Sequence, residues 1–68
     1  MENDRVMIYS TNKLYEAEII RKIMGDNSIS AFLVNKMDSF YKFGEIEIHI
    51  LREDVIRAKK LIQEYEQQ

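Results

Sequence analysis

The residues Glu45–Ile50 alternate strictly between polar and apolar side chains. In a strand, alternate residues point to opposite faces. The two sets here are Ile46, Ile48 and Ile50 against Glu45, Glu47 and His49. Such a strand has one face covered by other elements and one face open to solvent. The chain must therefore build a sheet that is covered by helices on one side.

Two segments supply those helices, because their apolar residues recur at spacings of three and four. The first runs from about Asn12 to Met24, with polar residues 10–12 as candidate caps and Gly25 as a left-handed residue that ends it. The second runs from Arg52 to roughly Glu66. The predicted core face of the first helix comprises Leu14, Ala17, Ile20, Ile23 and Met24.

Two further strands are predicted at Val6–Tyr9 and Ser30–Val34, and both carry apolar side chains on their two faces. Alternation along the first strand places Met7 and Tyr9 on the same face. The order is then strand, helix, strand, strand, helix, and the third strand inserts antiparallel between the first two.

This order predicts an α+β fold, a two-layer sandwich with both helices on one face of a three-stranded sheet. It is a ferredoxin-like arrangement that lacks the last strand, so Arg5–Ser10 should form an unpaired edge. We expect one domain over residues 1–68, with a loose N-terminus at 1–4 and a core at 5–66.

Composition narrows the functional classes. The chain has 68 residues, no cysteine and one histidine, which excludes disulfides and a zinc cluster. Because small domains bury little surface, the chain must rely on its 46% hydrophobic content, and self-association, which we expect, is the other common remedy for a small core. The net charge of −2 with interspersed signs argues against a nucleic-acid partner. With no signal peptide or membrane-length apolar run, we expect a cytoplasmic protein without a membrane partner.

The segment 36–44 holds three closely spaced aromatic residues, Phe40, Tyr41 and Phe43. They either cover an open end of the core or form a contact surface for a partner or ligand. A second candidate contact surface is the open face of the sheet, with Met7 and Tyr9 and with Ala31 and Leu33 as further candidates. The alternative for that face is a set of scattered apolar groups that long charged neighbours shield.

The sequence contains few residues or motifs that are typical of catalytic, phosphate-binding or metal-binding sites. There is no cysteine, no nucleophile elbow around any serine, and only two glycines, so neither nucleophilic catalysis nor a phosphate loop is predicted. Glu47 and His49 are weak candidates for metal ligands because they share one strand face, and the alternative is a solvated sheet surface. We expect no enzyme activity, no catalytic residue and no cofactor.

A set of positions then resembles a known family: Ser10-Thr11, Glu16-Ala17, Ile20, Met24, Ile29, Ala31, Asn35, Ile48, Ile50, Glu53-Asp54, Ala58, Leu61 and Ile62. Their spacing is similar to that of small bacterial proteins described as putative prokaryotic signal-transducing proteins, over about residues 5 to 65. The resemblance implies a fold related to the nitrogen-regulatory PII proteins and brings no catalytic motif. Two positions depart from the family pattern: Ser28 replaces an expected glycine, and Ser30 stands where proline is frequent.

These observations lead to two functional hypotheses. The first is a bacterial binding or signalling module that associates with itself or with another protein through its open sheet edge or face, for example by strand addition at Arg5–Ser10. The alternative is a PII-like small-molecule sensor with residues 36–44 as its responsive element. The sequence identifies neither the partner nor the ligand.

Overall fold

The computed structural model describes residues 4–38, 40 and 43–68. Its elements are β1 (Arg5–Thr11), α1 (Leu14–Asp26), β2 (Ala31–Asn35), β3 (Ile46–Leu51) and α2 (Val55–Glu66). A 3-10 turn at Arg52–Asp54 leads into α2, where the sequence predicts continuous α-helix. The predicted order of elements and the α+β class are confirmed, with boundaries shifted by one or two residues at most ends.

The sheet has the order β1-β3-β2, and β3 is antiparallel to both neighbours. This confirms that the third strand lies between the first two and that β1 is an edge strand. The helices share one face of the sheet, where α1 packs mainly over β2 and β3 and α2 over β1 and β3. Neither α1 nor α2, nor any other helix among the described residues, is long and apolar enough to cross a membrane.

The core lies between the sheet and the helices. β3 contributes its three predicted isoleucines, which are fully or almost fully buried, and the other members come from the helices and the turn before β2. The buried apolar residues are Ala17, Ile20, Met24, Ile29, Ile46, Ile48, Ile50, Ala58 and Ile62. Leu14, predicted to face the core, is instead 57% exposed because it begins α1 at the rim of the sandwich.

β1 contains a β-bulge that the alternation of its sequence does not reveal. Met7 is paired with His49, but the next pair joins Tyr9 to Ile48, so Ile8 is an extra residue. Because Ile48 lies on the helix face, Tyr9 lies there too and packs against the core. The prediction that Tyr9 and Met7 share the open face is therefore wrong.

The two ends of α1 also differ from the prediction. The residue before its first turn is Lys13, which makes no side-chain cap, although the Thr11 hydroxyl accepts a hydrogen bond from the Lys13 amide at 3.1 Å. At the other end, Gly25 stays helical and the left-handed residue is Ser28, with φ of 63°. The chain thus reverses three residues later than predicted, at the position where the family pattern has glycine.

Ser28→Gly should stabilise the protein by about 1 kcal/mol, because an L-residue pays a steric cost in the left-handed region that glycine avoids. Chemical denaturation of both proteins measures this difference. Ser30→Gly is the matched control, since Ser30 has no positive φ and glycine there should lower the stability or leave it unchanged. A Ser28→Gly protein no more stable than the parent would contradict the strain at this turn.

Candidate functional site

The open face of the sheet carries side chains from all three strands in rows across the sheet. The register places Met7, His49 and Phe32 in one row, and Ser10, Glu47 and Val34 in the next. Met7 is 49% exposed, whereas Phe32 and Val34 are half-buried. Since these apolar groups lie on the side without helices, this face is more apolar than a solvated sheet surface requires.

The β2 residues that lie on the open face are not the ones predicted from the sequence. Ala31 and Leu33 pair with Ile50 and Ile48, respectively, and pack against the core. The open face instead receives the other residues of the strand, Phe32 and Val34. Of the predicted face residues, only Met7 lies there, because the bulge turns Tyr9 to the helix side.

Arg5 spans the open face. Its guanidinium carbon lies 3.8 Å from the centre of the Phe32 ring, although Arg5 is on β1 and Phe32 is on β2. The side chain therefore crosses over β3 near Leu51, its register partner. This cation–π contact holds a positive charge above the apolar surface and covers part of it.

A polar group lies beside these apolar residues on the same face. The Nε2–H of His49 donates to Glu47 Oε1 at 2.9 Å, and Lys36 Nζ lies 3.5 Å from the same oxygen. The hydrogen bond from His49 is the main reason that the pKa of Glu47 is lowered, and Lys36 adds to the effect. Glu47 is therefore held as a carboxylate by two neighbours on a flat surface.

The predicted metal candidates, Glu47 and His49, are thus in contact with each other. No group of three or more His, Cys, Asp or Glu side chains that could hold a metal ion occurs among residues 4–38, 40 and 43–68. Two adjacent ligands on one strand are fewer than transition-metal sites in proteins use. The arrangement favours the interpretation of a polar sheet surface.

The segment between β2 and β3 continues their hairpin where it is described. Asp38 and Phe43 form an antiparallel bridge, with the Asp38 amide donating to the Phe43 carbonyl oxygen at 2.8 Å. Gly44 has φ of 107°, and a side chain there would collide with the Lys36 carbonyl oxygen. Phe40 is 81% exposed and Phe43 is 66% exposed, so these two rings do not cover the core. Tyr41 lies outside the described residues.

A second polar cluster surrounds Glu16, close to the start of α1. The Thr11 hydroxyl donates to Glu16 Oε1 at 2.7 Å, and the Tyr65 hydroxyl donates to Oε2 at 3.1 Å. Tyr9 also bonds to this carboxylate. Glu16 thereby ties together β1, α1 and the last turn of α2.

The hydrogen bonds and the burial of this cluster shift the pKa values of its three titratable groups, Glu16, Tyr9 and Tyr65. The hydrogen bond from Thr11 is the largest cause of a lowered pKa at Glu16, and burial opposes it. The pKa values of Tyr9 and Tyr65 are raised, chiefly by burial and then by the nearby Glu16 carboxylate. The cluster is therefore fully formed when Glu16 is ionised and both phenols are protonated.

Sequence reasoning did not identify this cluster. Thr11 and Glu16 are visible in the sequence as a candidate cap and a first-turn acid, but Tyr9 was expected on the opposite face. The signal that links them is tertiary, because Tyr65 is 49 residues away from Glu16 along the chain. The cluster's role is structural, since its hydrogen bonds join elements of the fold to each other.

The Glu16 cluster predicts how stability depends on pH. Because the pKa of Glu16 is lowered from 4.5, its contribution is present above that value and is lost as the pH falls through the folded-state pKa. Glu16→Gln should therefore be less stable near pH 7 and lose less stability on acidification. Urea denaturation between about pH 3 and 7 tests this. Glu64→Gln, at an exposed position of α2, should keep the parental acid dependence.

Tyr65→Phe should lower the melting temperature, because Glu16 Oε2 loses a donor from α2 while the ring is retained. Tyr15→Phe is the matched control, since Tyr15 is exposed and no hydrogen bond of its hydroxyl is seen among the described residues. Calorimetry of the two variants at neutral pH gives the comparison. Equal melting temperatures would mean that the bond between Tyr65 and Glu16 does not stabilise the fold.

Comparison with known proteins adds a family. The sequence model of the family described as "putative prokaryotic signal transducing protein" matches residues 6–66, which is nearly the whole chain. No curated protein and no solved structure matches. The matched segment contains both helices, β2, β3 and all of β1 except its first residue. The chain therefore belongs to the family of putative prokaryotic signal transducing proteins.

Proposed function

We propose that this protein is a non-enzymatic protein-binding module in signal transduction and that the open face of its sheet is the contact surface. The observation that carries the proposal is the presence of Met7, Phe32, Val34 and Leu51 on the side of the sheet without helices. Exposed apolar groups that adjoin one another are typical of protein interaction sites. The family membership supports a signalling role.

The charges around this surface indicate the character of the partner. Arg5 lies at one end and Lys36 at the other, whereas the carboxylate of Glu47 is already engaged by His49 and Lys36. Glu45, exposed beside Lys36, lies on the same face by alternation, so the two positive groups are balanced by Glu45 and Glu47. A complementary partner would present an apolar patch bordered by charged side chains of both signs, which steer association and fix its orientation.

The exposed phenylalanines of the hairpin extend the candidate surface. Phe40 and Phe43 lie in the connection between β2 and β3, and their position is held by Asp38, whose carboxylate accepts the Phe40 amide at 2.8 Å. Aromatic side chains are enriched in the centres of protein interfaces. We propose that they add contacts at one end of the open face.

Enzyme activity is not part of the proposal. The chain holds no cysteine, and its one histidine is bonded to Glu47 on an open strand surface. General acid–base catalysis needs such a group to be placed against a bound substrate. A flat sheet face offers protein surfaces a broad contact but gives a small substrate little enclosure.

The PII-like sensor remains the competing proposal, with residues 36–44 as its responsive element. No contact among the described residues favours a small ligand there. The two proposals differ in a simple measurement, because a ligand that binds the folded state raises the melting temperature with its concentration. Nucleotides and common metabolites at millimolar concentration are the appropriate set to test.

Site-specific photo-crosslinking in bacterial cells of the native host tests the protein-binding proposal. Benzoylphenylalanine at Ser10, on the open face at the β1 side of the sheet, should give one discrete adduct. The same residue at Ile56 should give none, because Ile56 is 85% exposed but lies alone on α2.

The Ser10 adduct should disappear when Met7→Lys is added and persist with Ile56→Lys. Met7→Lys places a charge in the open face at an exposed position, so the fold should be retained. Absence of the adduct, or an adduct that Met7→Lys leaves unchanged, would overturn the proposal. An adduct with the mass of two chains would assign the face to self-association instead of a partner.

A further inference from the structure

We propose that the protein also forms a two-fold dimer in which the β2 strands of two copies pair antiparallel and join their sheets into one. This interface lies along the β2 edge of the sheet and meets the open face only at Phe32 and Val34, and it does not depend on the function proposed above. It rests on the backbone of β2, on the flank of α1 that lies beside it, and on the contrast with β1.

The hydrogen-bonding pattern shows which groups of β2 are free at the edge. The Lys36 amide donates to the Glu45 carbonyl oxygen at 2.9 Å, so Lys36 points its backbone towards β3. In an antiparallel ladder, inward and outward residues alternate. Phe32 and Val34 therefore point their backbone groups inward, and Ala31, Leu33 and Asn35 point theirs outward.

The outward residues of β2 are evenly spaced, uncharged and free of proline, which is the kind of edge that pairs with another strand. The same reasoning across β3 gives the outward residues of β1 as Arg5, Met7 and Ser10. Their spacing is irregular because of the bulge at Ile8. β1 thus has a bulge, which discourages pairing, and β2 has none.

A two-fold axis at Leu33 satisfies every outward group of β2. Leu33 pairs with its copy, and Ala31 pairs with Asn35 of the partner in both directions. The adjacent pairs then join Phe32 to Val34 of the partner on the open face. An aromatic side chain opposite a β-branched one is a favourable cross-strand pair.

The position of α1 suits this arrangement. α1 packs against β2, and its residues Arg21 and Gly25 lie beside the start of that strand, so this flank of the helix is near the β2 edge. Pairing of the two β2 strands would therefore bring the two copies of α1 next to each other on the same side of the joined sheet, and helices in contact normally pack at about 8–10 Å.

The flank of α1 that faces the seam complements itself. Arg21 and Gly25 line a groove of about 520 Å³ with residues 28–32 at the start of β2, which places them on this side of the helix. Leu14 and Glu18 belong to the same stripe by helical periodicity, and Glu18 contacts Arg21 at 3.0 Å. In chain order, the stripe therefore has a large apolar residue, an acidic residue, a basic residue and a glycine.

An antiparallel copy brings the ends of this stripe together. Leu33 is four residues beyond the turn at Ile29, about 13 Å along a strand. That distance corresponds to roughly seven to nine residues of a tilted helix, so the axis passes near Glu18–Arg21. Glu18 then faces Arg21 of the partner, and the exposed Leu14 faces Gly25 of the partner, where an added Cβ would meet nothing within 4 Å.

Sedimentation equilibrium on charge variants tests the helix seam. Arg21→Glu should raise the dimer dissociation constant roughly tenfold or more, because it brings four acidic groups together at the axis. The swapped double variant Glu18→Arg/Arg21→Glu should restore dimerisation. Lys59→Glu changes the net charge equally but lies on α2, so it should have little effect. A parent protein that stays monomeric up to about 1 mM would overturn the proposal.

Amide hydrogen exchange tests the strand seam independently. The amides of Ala31, Leu33 and Asn35 should be protected in concentrated solution and exchange quickly on dilution. Those of Arg5, Met7 and Ser10 should exchange quickly at every concentration. Protection of the second set alone would place the interface at β1 and overturn the proposal. Loss of the Ser10 crosslink to a partner, by contrast, bears only on the open face.

Discussion

The structure depends on β3, the one strand that is hydrogen-bonded on both sides. Its isoleucines form the floor of the core beneath both helices, and its intervening polar residues form the middle of the open face. In so short a chain there is no second apolar layer to compensate for a lost one. Because both helices cover the isoleucine side of β3, its other side forms a surface that neither helix covers.

Both candidate interaction surfaces follow from this two-layer arrangement. A three-stranded sheet with helices on one side leaves one face and two edges uncovered. These three surfaces differ in their side chains and in the regularity of their backbone. The open face combines apolar groups with Arg5, Lys36 and the contact between Glu47 and His49. The β1 edge is irregular, and the β2 edge is regular and uncharged. The three surfaces are therefore suited to different partners.

The periodic features of the sequence predicted most of the fold. The alternation of Glu45–Ile50 and the helical spacing around Ala17 and Ala58 fixed the elements, their order and the face that the helices cover. The local exceptions were not predictable, because each depends on tertiary contacts. Ile8 bulges against β3, and α1 continues past Gly25 until Ser28 reverses the chain. For the same reason the open-face residues of β2 and the Glu16 cluster appeared only in the structure.

The bulge at Ile8 has a consequence for the size of any assembly. When two sheets join at β2, the outermost strands of the combined sheet are the two copies of β1. Because the bulge makes their outward backbone groups irregular, these outer edges disfavour a further strand, and we expect the proposed assembly to stop at two copies. A chain without Ile8 would keep the same side chains on each face, but its outer edges would become regular. In the proposed dimer, one extra residue in β1 would therefore favour a closed pair over an open-ended polymer.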